Sequence, residues 1–256
     1  MARSEMNIDP ELVRAADENF IASFRKLAQH ADQGETHEAG TIFSFVTGLP
    51  LPLFNGCVVT QEAPEAELAA ALTWLTERNV PFRVWVAEKL VADLGDLPAR
   101  HGLQPDPALY PGMVLHPIPV APTPRVGITI FDAGRDEFIS VLEEGGLSPE
   151  LAHRLISFSF AEDPDVRLFV GRLDRRPVGT SIAIRSRHGS GVYNVGTFPD
   201  ARRRGVGIAL TWAAVEAGRA WGCDSIVLQS STMGLPMYSE MGFRTVAPYV
   251  VYAASS

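Results

Sequence analysis

Apolar and polar positions alternate through VGITIFD (126–132), and the β-branched content of that run predicts a strand. Helical spacing of apolar residues follows over 136–144 and again over 149–160. Ser148 is a good N-cap for the second helix, with Pro149 at its first position. The segment 165–187 (DVRLFVGRLDRRPVGTSIAIRSR) predicts two strands joined by a turn at Asp174–Pro177. GVYNVGTF (191–198) predicts another strand, ended by Pro199 and Asp200. From Arg204 to Ala220, Ile208, Leu210, Trp212, Ala213, Val215 and Ala217 give a helix an apolar body. A strand over 224–230, a short helix near 234–241 and a last strand near 247–253 complete a β-α-α-β-β-β-α-β-α-β order, a mixed α/β layout.

Toward the N-terminus the pattern predicts a long helix over 9–32, strands over 41–47 and 54–60, and a helix over 66–79. A strand over 82–88, a broken helix over 92–103 and a strand over 111–117 follow. Between the halves lies HPIPVAPTP (116–124), with four prolines in nine residues. Proline lacks a backbone N–H and holds its neighbour extended, so this stretch predicts a stiff linker. The expected division is therefore 1–118, a linker at 119–125, and 126–256. The strand-helix order of 54–117 repeats that of the last ninety or so residues, and RHGLQPDPALYPGMVL echoes EMGFRTVAPYVVY in its Gly-apolar step and following strand. A diverged internal duplication is expected.

Composition narrows the class. With 256 residues, 46% apolar and 20% charged, the chain can bury a core, and disorder or a coiled coil is excluded. No stretch approaches the ~18 consecutive apolar residues of a membrane span. The first twenty residues are polar, without the apolar segment of a secretory signal, so a cytoplasmic protein is expected. Cys57 and Cys223 are too few for a thiolate metal site and read as small core residues; no metal is expected. A net charge of −8 argues against a general nucleic-acid binder. Of the 22 basic residues only Lys26 and Lys89 are lysines, so the placement of the arginines carries the information.

Three arginines stand together in NVGTFPDARRRGVGIAL (194–210). A strand ends at Phe198, and Arg202-x-x-Gly205-x-Gly207 leads into the helix. A helix start leaves N–H groups without internal partners and carries the positive end of the peptide dipoles. Glycines let that backbone approach an anion, and guanidinium groups add bidentate phosphate donors. Together these features describe a phosphate seat. It is not a nucleotide P-loop, because Gly207–Ile208 lacks the Lys and the metal-binding hydroxyl. Nor is it the dinucleotide fingerprint, because position 210 is leucine rather than glycine.

The strand, Pro199, Arg202-x-x-Gly205-x-Gly207, the helix, a further strand and then Tyr238-x-x-x-Gly242-Phe243 resemble the GNAT superfamily of acyl-CoA-dependent N-acetyltransferases. The resemblance covers about 125–256, and its core is 191–246. It implies two GNAT-like mixed α/β domains, the N-terminal one degenerate and the C-terminal one with a splayed central sheet. It implies acetyl-CoA as cosubstrate and a primary amine as acceptor, with no nucleic-acid or membrane partner, and it is compatible with a homodimer. By the resemblance, Arg202, Arg203, Arg204, Gly205, Val206, Gly207 and Ile208 hold the diphosphate. Val195, Gly196 and Thr197 line the pantetheine arm, with the Val195 N–H facing the thioester carbonyl. Tyr238 stands where the family places a phenol that protonates the departing thiolate. Ser231 stands where many members carry an asparagine that touches the cofactor.

A general base is not assigned. Where several members carry a glutamate, four residues before the carbonyl-binding amide, this chain has Gly191; Glu162, Asp163 and His188 are the nearby ionisable residues. In the N-terminal half Pro98 aligns with Tyr238, and the strand at 54–60 runs into acidic QEAPEAEL. That half is expected to leave coenzyme A unbound and to serve as scaffold, substrate wall or dimer surface. A non-catalytic acyl-CoA-binding sensor is the rival reading, favoured by Gly191 and disfavoured by Tyr238.

Overall fold

The computed structural model describes residues 9–108 and 110–254. It opens with helix α1 (Pro10–His30), strands β1 (Glu35–Ala39), β2 (Ile42–Val46) and β3 (Asn55–Val59), helix α2 (Glu65–Glu77) and strand β4 (Arg83–Ala87). The one-turn helix α3 (Leu97–Arg100) and strands β5 (Leu103–Pro105) and β6 (Tyr110–Leu115) complete the N-terminal half. The second half begins β7 (Ile128–Asp132), α4 (Arg135–Glu144), α5 (Pro149–Leu155) and α6 (Phe158–Ala161). It continues β8 (Val166–Leu173), β9 (Arg176–Ser186), β10 (Gly189–Thr197), α7 (Val206–Ala220), β11 (Ile226–Gln229), α8 (Leu235–Glu240) and β12 (Arg244–Ala254).

The mixed α/β layout follows the pattern of the sequence, with local differences that have local causes. The helix expected over 149–160 breaks at Ile156, because the Ser157 hydroxyl accepts the Phe160 N–H and starts a new turn. The segment 92–103 becomes the end of a 3-10 stretch, α3 and the first residue of β5. Strands β1 and β5 lie outside the predicted set. ETHEA is a polar edge strand, and LQP is too short to show a period.

All twelve strands form one sheet in the order β1-β2-β3-β4-β12-β6-β11-β10-β9-β8-β7, with β5 alongside β12. Alternate side chains face opposite layers. Ile226 and Leu228 of β11 join the core under α7, whereas Val227 joins the core under α1. In the other half Ile42 and Val46 of β2 pack toward α2, and Phe43 and Phe45 pack toward α1. Helices α2 and α7 therefore cover one face and α1, α4, α5 and α6 the other. Among the described residues no helix is long and apolar enough to cross a membrane.

The last strand of each half is built into the sheet of the other. β12 lies between β4 and β6, and β6 lies between β12 and β11. At the crossing Pro111 pairs with Pro248 and Tyr110 with Tyr249, so the two echoing segments meet at matching residues. The expected boundary at 119–125 falls between β6 and β7, and the sheet runs across it. Helix α1 reinforces the join: the Lys26 ammonium bonds Asp163 at 2.7 Å and His30 meets the same carboxylate at 2.8 Å. Burial alone would raise the Asp163 carboxyl, but Lys26, the Asp165 N–H and His30 together hold it below the usual range.

Candidate active site

β10 pairs in parallel with β11 only at Ser190↔Ile226 and Gly191↔Val227, yet stays antiparallel to β9 as far as Thr197↔Gly179. Beyond Gly191 the edge of β10 that faced β11 has no strand neighbour, and a fork opens between the two. This is the splay the sequence led us to expect. In the fork β10 carries a bulge. Asn194 and Val195 have no partners in the β9 register, and Asn194 adopts φ 49°. The hydroxyl of Thr180 donates to the Asn194 carbonyl at 3.3 Å. Val195 and Thr197 are half-buried toward α7, while Asn194 and Gly196 are exposed.

After β10, Pro199–Ala201 form one 3-10 turn, and Arg203 at φ 60° and Gly205 at φ 95° swing the chain into α7. No side chain caps this helix and its first turn carries no acidic residue. Among the described residues nothing accepts from the N–H groups of Val206, Gly207 or Ile208. A helix start left open in this way is suited to an anion. Arg202 Nε donates to the Thr197 carbonyl at 3.2 Å, and Arg204 meets Asp174 at 3.4 Å. Arg203 has no acidic partner among the described residues and is exposed. A diphosphate therefore fits the donor set: three open N–H groups beside exposed guanidinium groups.

The structure adds a fourth arginine that motif spacing missed. A Cβ placed on Gly205 would lie 3.1 Å from Cδ and 3.4 Å from Nε of Arg125, so the linker side chain lies over the loop. Only its position after a proline run was visible in sequence, and that says nothing about where it folds back.

Tyr238 is buried in α8, with its ring edge-on to Phe243 at 5.8 Å. Burial pushes its phenol up to about 12, partly offset by the nearby Thr211 hydroxyl of α7. Thr211 in turn donates to the Gly207 carbonyl at 2.8 Å. Ser231 lies in the turn between β11 and α8. It is exposed, and its hydroxyl accepts the Gly234 N–H at 3.2 Å.

On the α1 side of the fork, two of the three ionisable residues near Gly191 in sequence are engaged elsewhere. Asp163 holds Lys26 and His30, and His188 pairs with Glu18 at 2.8 Å. Glu162 is exposed just past the end of α6. The space beside Gly191 is itself filled: a Cβ there would lie 2.3 Å from Asn19 Oδ1 and 2.3 Å from the ring of Tyr193. Gln229, at the end of β11 and two residues beyond the last β10 pair, is a second residue that sequence reasoning missed. Its amide nitrogen and oxygen are both buried without a hydrogen-bond partner among the described residues. Alternation along β11 puts it on the face of Val227, beneath α1.

The corresponding position in the N-terminal half has a different character. A cavity of about 600 Å³ lies between the end of β3, the start of α2 and α3, lined by Val59, Leu68, Leu90 and Leu97 with Glu62 and Asp93. Glu65 at the start of α2 pairs with Arg100 at 2.6 Å. Carboxylates at this helix start repel phosphate. Among the described residues no group of three His, Cys, Asp or Glu is placed to hold a metal ion.

Comparison with known proteins gives a family model, the acetyltransferase (GNAT) family, matching residues 132–243. No curated protein matches at the level of sequence. Among solved structures, a GCN5-related N-acetyltransferase from Kribbella flavida is similar at TM-score 0.71 and 19% identity, covering 94% of this chain and 96% of that one. A GCN5-related N-acetyltransferase from Sphaerobacter thermophilus is similar at TM-score 0.63 and 18% identity, covering 83% of this chain and 76% of that one. A tandem GNAT protein from the clavulanic acid biosynthesis pathway is similar at TM-score 0.57 and 14% identity, over 94% of this chain and 96% of that one. At these identities the likeness to solved structures is one of fold.

Proposed function

From the premise that this chain is a member of the GNAT acetyltransferase superfamily, with the family's domain over residues 132–243, we propose an acyl-CoA-dependent N-acetyltransferase that acts on a primary amine. We read the N-terminal half as a diverged copy that does not bind the cofactor. The observation that carries the proposal is the conjunction of an open fork between β10 and β11 with an uncapped, arginine-flanked helix start at its mouth. Acetyl-CoA supplies an acyl group already activated as a thioester. The open N–H groups of Val206, Gly207 and Ile208 and the guanidinium groups of Arg202, Arg203 and Arg204 hold its diphosphate. The free edge of β10 from Val195 to Thr197 receives the pantetheine arm.

An amine of pKa near ~10 is mostly protonated at neutral pH and must lose a proton before it attacks. As it attacks, negative charge grows on the carbonyl oxygen, and a fixed N–H at Val195 lowers that barrier; loss of one such donor costs roughly 2.7–4 kcal/mol in comparable sites. Tyr238 keeps its proton at neutral pH and gives it to the departing sulfur. The test is release of free thiol from acetyl-CoA over a panel of amines, with mass detection of the acetylated product. No release with any acceptor, in protein that binds coenzyme A, overturns the enzymatic reading.

Two residues found only in the structure yield expected results. Arg125→Gln weakens acetyl-CoA binding on the order of five- to tenfold and flattens its salt dependence, with kcat unchanged. Calorimetry at two ionic strengths checks it, and an unaltered affinity removes Arg125 from the seat. Gln229 is assigned to the acceptor, because a buried carboxamide without partners costs about 1–3 kcal/mol until a ligand meets it. Gln229→Leu raises the acceptor KM about tenfold, leaves acetyl-CoA affinity alone and does not lower Tm. A drop in Tm with an unchanged KM would make Gln229 structural.

A further inference from the structure

Helix α1 belongs to the half without the glycine loop, yet its buried face is bonded to the strand that carries Val195. Asn19 is fully buried and uses all of its bonding capacity. Its amide nitrogen donates to Ser186 Oγ at 2.9 Å and to the Gly189 carbonyl at 3.3 Å. Its oxygen accepts from the Tyr193 hydroxyl at 2.9 Å and from Ser23 Oγ at 3.5 Å. Tyr193 is the last residue of β10 in register with β9 before the bulge, opposite Ile182. Its ring is fixed at both ends, by the strand at Cα and by α1 at the hydroxyl. On the far side of the bulge the Thr180 hydroxyl holds the Asn194 carbonyl. Gly191 is part of the same device, since any side chain there would strike both Asn19 and Tyr193.

We propose that Asn19, acting through the Tyr193 hydroxyl, is a positioning residue for acyl transfer: it fixes the pitch of the β10 bulge and so the aim of the Val195 N–H. The inference rests on the reading that the fork receives the thioester, and it makes the N-terminal half part of the apparatus that aims it. Burial pushes the Tyr193 phenol above its ordinary value, so it stays neutral and acts as a pin rather than a base. The charged groups around this cluster have other partners. Asp17 on α1 is bonded to the Tyr249 hydroxyl of β12, and Glu18 pairs with His188.

Tyr193→Phe and Asn19→Leu, separately and together, test the pin. Each variant is expected to lose about tenfold in kcat while its affinity for coenzyme A changes less than about twofold, because misaiming a donor costs rate rather than cofactor binding. The double variant is expected to be no slower than the slower single one, since both remove the same bond. A wild-type kcat in folded Tyr193→Phe overturns the proposal, and so does a loss of coenzyme affinity equal to the loss of rate. Should Asn19→Leu fail to fold, Tyr193→Phe carries the test by itself. The residual dipolar coupling of the Val195 N–H reads its aim without turnover. A changed coupling in Tyr193→Phe supports the pin even if the wild type acetylates no amine, an outcome that removes only the functional reading; an unchanged coupling overturns it.

Discussion

Gly205→Glu is expected to abolish binding of coenzyme A, weakening it more than about 100-fold, or about 2.8 kcal/mol. Three effects add at this position. The backbone φ of 95° is one that L side chains rarely adopt, at a cost of roughly 1–3 kcal/mol. The new Cβ stands 3.1 Å from Arg125 Cδ, where only the flexible arginine can yield. The carboxylate then enters a group of guanidinium ions and takes the place of the phosphate it excludes. Gly205→Ala separates these contributions. It keeps the strain without the charge and is expected to weaken binding by about tenfold or less. Calorimetric titration with coenzyme A checks both, and an unchanged affinity in Gly205→Glu would remove the phosphate seat from this loop.

The second large effect is expected at Tyr238. Tyr238→Phe should lower kcat about 100-fold, within the usual range for loss of a general acid, while the Kd for acetyl-CoA changes less than about twofold. The substitution removes only the hydroxyl. The ring still packs on Phe243, and Thr211 keeps its bond to the Gly207 carbonyl. A phenol pushed up to about 12 would be a weak donor to a thiolate in water, whose thiol has a pKa near ~8.5. The transfer therefore needs the departing thiolate to be desolvated in the fork, which raises its proton affinity toward that of the phenol. It follows that kcat should show no loss of acid catalysis between pH 7 and about 10, since Tyr238 stays protonated until its raised pKa is approached. A descending limb in that window that disappears in Tyr238→Phe would overturn this account, and an unaltered rate would retire Tyr238 as the acid.

Much of this arrangement was legible in the chain itself. The period of VGITIFD, the apolar body of 204–220 and the Ser148–Pro149 start set local structure through backbone sterics and side-chain spacing, which need no distant partner. Arg202-x-x-Gly205-x-Gly207 marked an open helix start because the features that make it, positive φ and uncapped N–H groups, belong to consecutive residues. Distance in sequence hid the rest. Nothing in HPIPVAPTP announces that Arg125, just past it, folds back over Gly205. Nor does ETHEA, a polar edge, or LQP, too short for a period, announce a strand. The crossing of Pro111 with Pro248 and the bond from Asn19 to Tyr193 join residues more than a hundred positions apart. Such pairings depend on which faces of which strands are left to bury once the local elements exist. Local physics wrote the proposed phosphate seat into one stretch of the chain. Which helix steadies the neighbouring strand, and which side chains close around the fork, was decided only by packing two halves into one sheet.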